Sequence, residues 1–159
     1  MKTFIFDLDH TVIDSSHRQI TLADGSLDLD NWIANCTQEK IMADTLLPLA
    51  QHWRTLQAAG NEIVVCTARV MGVWDHVFLA DHGLTADAIL SRPLGCADAD
   101  ADLKENLLRD YARTNGQSWA LFSRTAVMYD DNMGVLNRLS SLGIDCYNAI
   151  SINNTLKAA

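Results

Sequence analysis

The chain has 159 residues, 48% hydrophobic and 20% charged, with a formal net charge of −8. That length and composition suggest one domain, spanning 1–159, with a real core and no long disordered tract. They exclude a membrane-spanning apolar run and argue against a broad basic face for wrapping nucleic acid, although a pocket for one phosphate needs few cations.

In chain order, the first element is a short apolar strand at Thr3 to Phe6. Further apolar runs follow at Glu62 to Cys66, Ala88 to Leu90, Thr125 to Tyr129 and Ile144 to Tyr147. Most are continuous rather than alternating, the pattern of strands buried on both faces of a parallel sheet. Helix-like stretches separate them. Gln38 to Ala59 carries apolar residues near helical spacing, with Pro48 predicting a break into two pieces and Gly60 a stop. Val70 to His82 precedes Gly83, Asp102 to Tyr111 follows an acidic run, and Met133 to Leu142 ends at Gly143. Alternating strands and helices predict an α/β, Rossmann-like three-layer sandwich around a mainly parallel sheet. The polar stretch of about 13–38 is too long for a tight strand-to-helix loop, and is expected to form a small cap-like insert over the carboxyl end of the sheet.

Four strand-to-helix junctions carry residues with compatible chemistry. After the first strand comes Asp7-Leu8-Asp9-His10-Thr11, whose two carboxylates can serve as a nucleophile and a proton carrier and suit a hard cation. Taken alone, DxD is common: Asp28-Leu29-Asp30 has the same spacing without a buried strand before it, and reads as a loop or helix cap. After the second strand, Thr67-Ala68-Arg69 offers a hydroxyl, backbone N–H groups and a guanidinium for a phosphoryl group, though Thr67 also fits a simple helix cap. Lys104 follows Asp98, Asp100 and Asp102; it can neutralise developing charge, while an exposed lysine is the commoner fate. The acidic run is not a calcium loop, since Leu103 and Arg109 occupy the positions that need glycine and glutamate, and Asp102 reads as a helix cap. Last, Asp130-Asp131-Asn132 places two acids after a buried strand, more than an N-cap requires.

With those motifs in order, the chain resembles the haloacid dehalogenase superfamily from Asp7 to about Asn148. The resemblance implies Asp7 as nucleophile, Asp9 as general acid/base, Thr67 as phosphate binder and Lys104 as the charge-neutralising lysine. It also implies Mg2+ held by Asp7, the Asp9 backbone carbonyl and an acid of the Asp130-Asp131 pair. His10 departs from it, standing where glycine is usual. A narrower similarity is to the 3′-phosphatase domain of phage polynucleotide kinase, through Thr67-Ala68-Arg69, Leu90-Ser91-Arg92-Pro93 and Asp130-Asp131-Asn132; it adds Ala68, Arg69 and Arg92 to the substrate-binding set. No GxxxxGK[ST] loop is present, so no kinase activity is expected.

The function expected from this resemblance is a magnesium-dependent phosphomonoester hydrolase working through an aspartyl-phosphate. Its partner is a phosphorylated nucleic-acid 3′ end or a nucleotide, the two nearly level, with Trp32, His17 and Arg18 of the insert as candidate base contacts and packing as the commoner fate of Trp32. A 5′-nucleotidase, a sugar-phosphate or phosphoprotein phosphatase, and a non-catalytic phosphate-binding protein are the alternatives. The N-terminus lacks a signal-peptide pattern, so the cytoplasm is expected, that of the host if the chain is phage-encoded. Cys36, Cys66, Cys96 and Cys146 form no CxxC pair and are expected to be free thiols.

Overall fold

The computed structural model describes residues 2–159. Its sheet has five parallel strands in the order β5-β4-β1-β6-β7: β1 (Thr3–Phe6), β4 (Glu62–Thr67), β5 (Ala88–Ser91), β6 (Ala126–Asp130) and β7 (Asp145–Asn148). A separate two-stranded antiparallel pair joins β2 (Ile13–Asp14) to β3 (Thr45–Leu46). The chain thus leaves β1, adds strands on one side and then returns to add them on the other. That reversal makes the carboxyl ends of β1, β4 and β6 a switch point where a ligand can enter between loops.

Alternation along the strands divides the core in two. Phe6, Ile63, Val65, Val127 and Tyr129 face α3 (Leu49–Ala58), α4 (Val73–Asp81) and α8 (Ala149–Ala158). Ile5, Val64, Cys66, Ala126 and Met128 face α5 (Asp100–Thr114), α6 (Trp119–Thr125) and α7 (Met133–Ser141). Phe6 stacks between Trp53 and Tyr129, with ring centroids at 5.2 and 4.9 Å, fastening α3 onto the sheet centre. Offset aromatic stacking of this kind adds to the burial itself, so the strand that delivers Asp7 is among the best-anchored parts of the fold.

Pro48 stands immediately before α3, and Gly60 and Gly83 follow α3 and α4 with φ of +77° and +64°, the left-handed turn that ends a helix without a Cβ penalty. Three features differ from the sequence-based expectation. The run Gln38 to Ala59 does break into two helices at Pro48, but the first, α2 (Gln38–Met42), is only five residues long, and Thr45–Leu46 between them is pulled extended by pairing with Ile13–Asp14. The excursion between the paired strands therefore covers 15–44, not 13–38, and includes α1 (Leu29–Ala34). α6 and α8 were not expected; both are short and are started by side-chain caps, Ser118 and Asn148. α5 begins at Asp100, so Asp102 lies in its first turn, paired with Arg138, and does not cap it. Asp28 does cap α1, accepting from the Asn31 N–H at 3.0 Å. Among the described residues no helix is long and apolar enough to cross a membrane.

Candidate active site

Asp7 follows Phe6 directly, and its N–H continues the β1–β6 ladder by donating to the Tyr129 carbonyl at 3.0 Å. Its carboxylate is therefore delivered by rigid sheet. Lys104, near the start of α5, reaches across the sheet edge: Nζ donates to Asp7 Oδ1 and to Asp130 Oδ2, each at 2.7 Å. Lys104 is only 2% exposed and Asp130 is fully enclosed. Asp130 Oδ1 also accepts from the Asn132 N–H at 2.9 Å, which fixes the turn into α7.

Asp7, Asp130 and Asp131 each offer an oxygen within 4.8 Å of the others. Three carboxylates against one ammonium leave two uncompensated negative charges, the balance a divalent cation would restore. The titration behaviour reflects burial first and that excess second. Burial pushes Asp7 up to about 7, with Asp130 and Asp9 adding to the rise and Lys104 opposing it. Burial and the nearby Asp7 charge push Asp131 up to about 6. Asp130 rises for the same first reason, while Lys104 stays firmly protonated because Asp7 and Asp130 outweigh its own desolvation. The donor set, all carboxylate oxygen, fits Mg2+.

Asp9 lies in a different environment. Arg69 donates Nε to Asp9 Oδ2 at 3.1 Å and Nη2 to Asp9 Oδ1 at 2.6 Å, a fork-shaped pair. The Ser15 hydroxyl donates to the same Oδ1 at 2.5 Å. Burial would raise Asp9, but the charge and hydrogen bonds of Arg69, with Ser15 and Arg18, outweigh it and hold the carboxyl below its usual range. Both of its carboxylate oxygens are thus engaged, and it is not one of the clustered acids.

Arg69 itself is 5% exposed and also donates Nη1 to Asp75 Oδ1 at 2.5 Å, with Asp44 Oδ2 at 3.8 Å from Nη2. The expectation that Arg69 contacts phosphate is revised: three carboxylates surround its guanidinium, and its position makes it the holder of Asp9. Arg92 is revised likewise. Its Nε donates to the Ala68 carbonyl at 2.9 Å, Nη1 to the Cys96 and Asp98 carbonyls, and Nη2 to Asp100 Oδ1 at 2.8 Å, bracing the β5–α5 loop against the β4–α4 turn. Thr67 is buried at the end of β4, where its Oγ1 accepts from the Arg69 N–H at 3.1 Å and its own O–H remains available to an incoming oxygen.

The insert brings the candidate base contacts Arg18, His17 and Trp32 together with Asp44, which the motifs did not indicate. Arg18 is buried and pairs with Asp44 through Nε and Nη2, both at 2.9 Å, and His17 Nε2 lies 2.8 Å from Asp44 Oδ1. The Trp32 ring covers Arg18 at 4.1 Å and Arg69 at 5.6 Å. Arg18 is thus engaged with Asp44 and does not present itself to a base, His17 is exposed with one ring nitrogen on Asp44, and Trp32 closes over the arginines. Asp44 falls within the helix-like run Gln38 to Ala59, and the chain's turn into the extended pair at Thr45 places it inward. At the opposite end of the chain, the Asn153 side chain donates to the Thr11 carbonyl and accepts from the Leu49 N–H, both at 2.9 Å, tying α8 to the loop after β1.

The sequence model of the bacteriophage T5 5′-deoxynucleotidase family matches residues 1–159. The chain belongs to that family. A curated relative, the 5′-deoxynucleotidase of Escherichia phage T5, is 30% identical over 179 aligned positions, covering 98% of this chain and 70% of the relative. Among solved structures, a haloacid dehalogenase-like hydrolase from Streptococcus pneumoniae superposes with a TM-score of 0.65 at 12% identity, covering 96% of this chain and 90% of its own. A chain of the Pnkp1/Rnl/Hen1 RNA repair complex gives 0.61 at 17% identity, covering 93% of this chain; this chain spans only 42% of that one. These two likenesses speak to fold. The family match and the curated relative support a phosphatase or nucleotidase, and the two structures give it a fold like that of haloacid dehalogenase-like hydrolases.

Proposed function

We propose that the protein is a magnesium-dependent 5′-deoxynucleotidase that releases phosphate from deoxynucleoside monophosphates through an aspartyl-phosphate on Asp7. The observation that carries the chemistry is Lys104 held between Asp7 and Asp130 beside Asp131, at the end of the central strand. Mg2+ bound by Asp7, Asp130 or Asp131 and the Asp9 carbonyl would neutralise the phosphoryl oxygens and keep Asp7 ionised. Asp7 is the carboxylate with rigid backbone support, so its free oxygen can attack phosphorus in line. Lys104 offsets charge on both nucleophile and phosphoryl group, and the Thr67 hydroxyl with the neighbouring Ala68 turn takes a phosphoryl oxygen.

Asp9 then handles the proton. In the ligand-free geometry it is ionised, the form that activates water for hydrolysis of the aspartyl-phosphate. Donation to the leaving alkoxide needs the protonated form, and an arriving phosphate dianion favours protonation by like-charge repulsion.

A mononucleotide fits better than a polynucleotide end. Net charge is −8, and Arg18, Arg69 and Arg92 are all paired within the chain, leaving few cations to follow a phosphate backbone. The family match supports the same choice. A place of action in the cytoplasm, where such nucleotides are found, accords with it. The test is phosphate release from deoxynucleoside 5′-monophosphates, 3′-monophosphates, 3′-phosphorylated oligonucleotides and sugar phosphates, with and without Mg2+. Preference for the 5′-monophosphates with Mg2+ is expected. Preference for the oligonucleotide, or turnover unaffected by a chelator, would overturn the proposal.

A further inference from the structure

Among the described residues, His10 is the only one other than glycine with a positive φ, +59°. The turn it occupies is closed by main-chain bonds alone: the Leu8 carbonyl accepts from the N–H groups of Thr11, Val12 and Ile13, and the His10 N–H donates to the Ile13 carbonyl at 2.8 Å. Glycine would make this turn without the Cβ strain that a left-handed residue carries. The side chain therefore contributes something the turn does not need.

What it contributes is a contact to Gln19. His10 Nε2 lies 2.8 Å from Gln19 Oε1, Gln19 Nε2 donates to Ser15 Oγ at 2.9 Å, and Ser15 Oγ donates to Asp9 Oδ1 at 2.5 Å. Ser15 has no exposed surface. The direction of the series follows from proton counting. If the Gln19 amide were turned over, the single Ser15 hydrogen would face two acceptors, the Gln19 oxygen and Asp9, with one left unsatisfied. With the amide oxygen towards His10, every group has a partner, the ring donates through Nε2, and donation runs one way from His10 to the Asp9 carboxylate. Arg69 grips Asp9 from the β4–α4 turn, and this arm grips the same Oδ1 from the root of the insert.

We propose that His10, Gln19 and Ser15 form a positioning arm that orients the Asp9 carboxylate for proton transfer with the substrate oxygen. The inference rests on the reading of Asp9 as acid/base. The arm explains why a residue with a side chain stands in the left-handed turn: His10 and Asp9 are adjacent in sequence, but the ring reaches the carboxylate only through two residues of the insert. Loop and insert are thereby set against one another.

The experiment compares wild type, His10→Gly, Gln19→Leu and Asp9→Asn, all with Mg2+, on a deoxynucleoside 5′-monophosphate and on p-nitrophenyl phosphate. Nitrophenolate leaves without a proton, whereas the nucleoside alkoxide needs one, so kcat/KM for the two substrates separates proton delivery from binding and folding. For His10→Gly and Gln19→Leu we expect kcat/KM on the nucleotide to fall about tenfold, the loss residing in kcat, and on nitrophenyl phosphate to change by less than about twofold. Asp9→Asn should show the same discrimination, larger. Gln19→Leu leaves the left-handed turn untouched, so it reports on the arm even if His10→Gly alters the loop. Equal loss on both substrates, or no loss on either, in the two arm variants while Asp9→Asn discriminates would overturn the arm alone. Equal loss on both substrates in Asp9→Asn would overturn the acid/base reading and the arm with it.

Discussion

Asp7 and Asp9 are two residues apart on one loop, yet their surroundings push them in opposite directions. Asp7 is buried facing Asp130 and Asp131 with a single lysine between them, and burial first, then the Asp130 charge, raises it against the pull of Lys104. Asp9 faces Arg69, with Arg18 behind it and a serine hydroxyl on one oxygen, an excess of positive charge and donors that lowers it. Strand alternation alone would put residues two apart on one side, but the chain bends at Leu8 directly after β1, and each carboxylate is completed by a different part of the chain. The sheet side receives β6 and α5; the insert side receives the excursion of 15–44 and the start of α4. Identical carboxylates acquire different proposed tasks from environment alone, one suited to a metal and a phosphorus atom, the other to a proton.

The largest expected effect comes from removing the sheet-side carboxylate. Asp7→Asn should lower phosphate release by about 10^4-fold or more, since loss of a covalent nucleophile leaves only binding and electrostatics. Activity close to wild type in that variant would show that the comparison assigns the roles wrongly.

Next is the insert side. Arg69→Ala would strand Asp9 and Asp75, with Asp44 close by, and removing one partner from a buried ion pair costs about 3–5 kcal/mol. Urea unfolding measures it. A loss below about 1 kcal/mol would mean that water reaches these groups freely, and that Asp9 is not held as described.

A smaller effect sharpens the sheet side. With its pKa raised from 3.8 to about 7, Asp7 keeps a proton in the folded metal-free chain that the unfolded chain has already released. Stability of the metal-free protein should therefore fall as pH rises through that interval. Mg2+ must displace those protons from Asp7 and from Asp131, itself at about 6. The increase in melting temperature on adding Mg2+ should grow between about pH 6 and pH 8 by thermal-shift measurement. A constant increase would remove the acidic cluster as the cation site.

Sequence patterns made one of these two sides far more legible than the other. The five strands announced themselves as continuous apolar runs, and Asp7, Lys104, Asp130 and Asp131 each follow or face a strand end, so the sheet side could be assembled from local motifs. The insert side depends on pairings far apart in the chain. Arg18 meets Asp44 because Ile13–Asp14 pairs with Thr45–Leu46, a two-residue ladder too short to leave a periodic trace. Pro48 signalled a break in Gln38 to Ala59, but the helix-like spacing of the piece before it concealed the strand at Thr45 and with it the inward turn of Asp44. Arg69 and Arg92 were visible as arginines beside the turn proposed to bind phosphate, but their direction depends on Asp9, Asp75 and loop carbonyls that no local pattern reveals. Asn153 lies in a C-terminal helix recognisable mainly by its Asn148 cap.

The central claim is that one loop carries two carboxylates of opposite proton affinity. Carbon-detected NMR titration of the aspartate carboxyl groups in the metal-free protein, with Asp7→Asn and Asp9→Asn for assignment, tests it most directly. The account predicts that the Asp7 signal moves near neutral pH and the Asp9 signal only below the ordinary carboxylate range. Coincident titration of the two, or the reverse order, would contradict it.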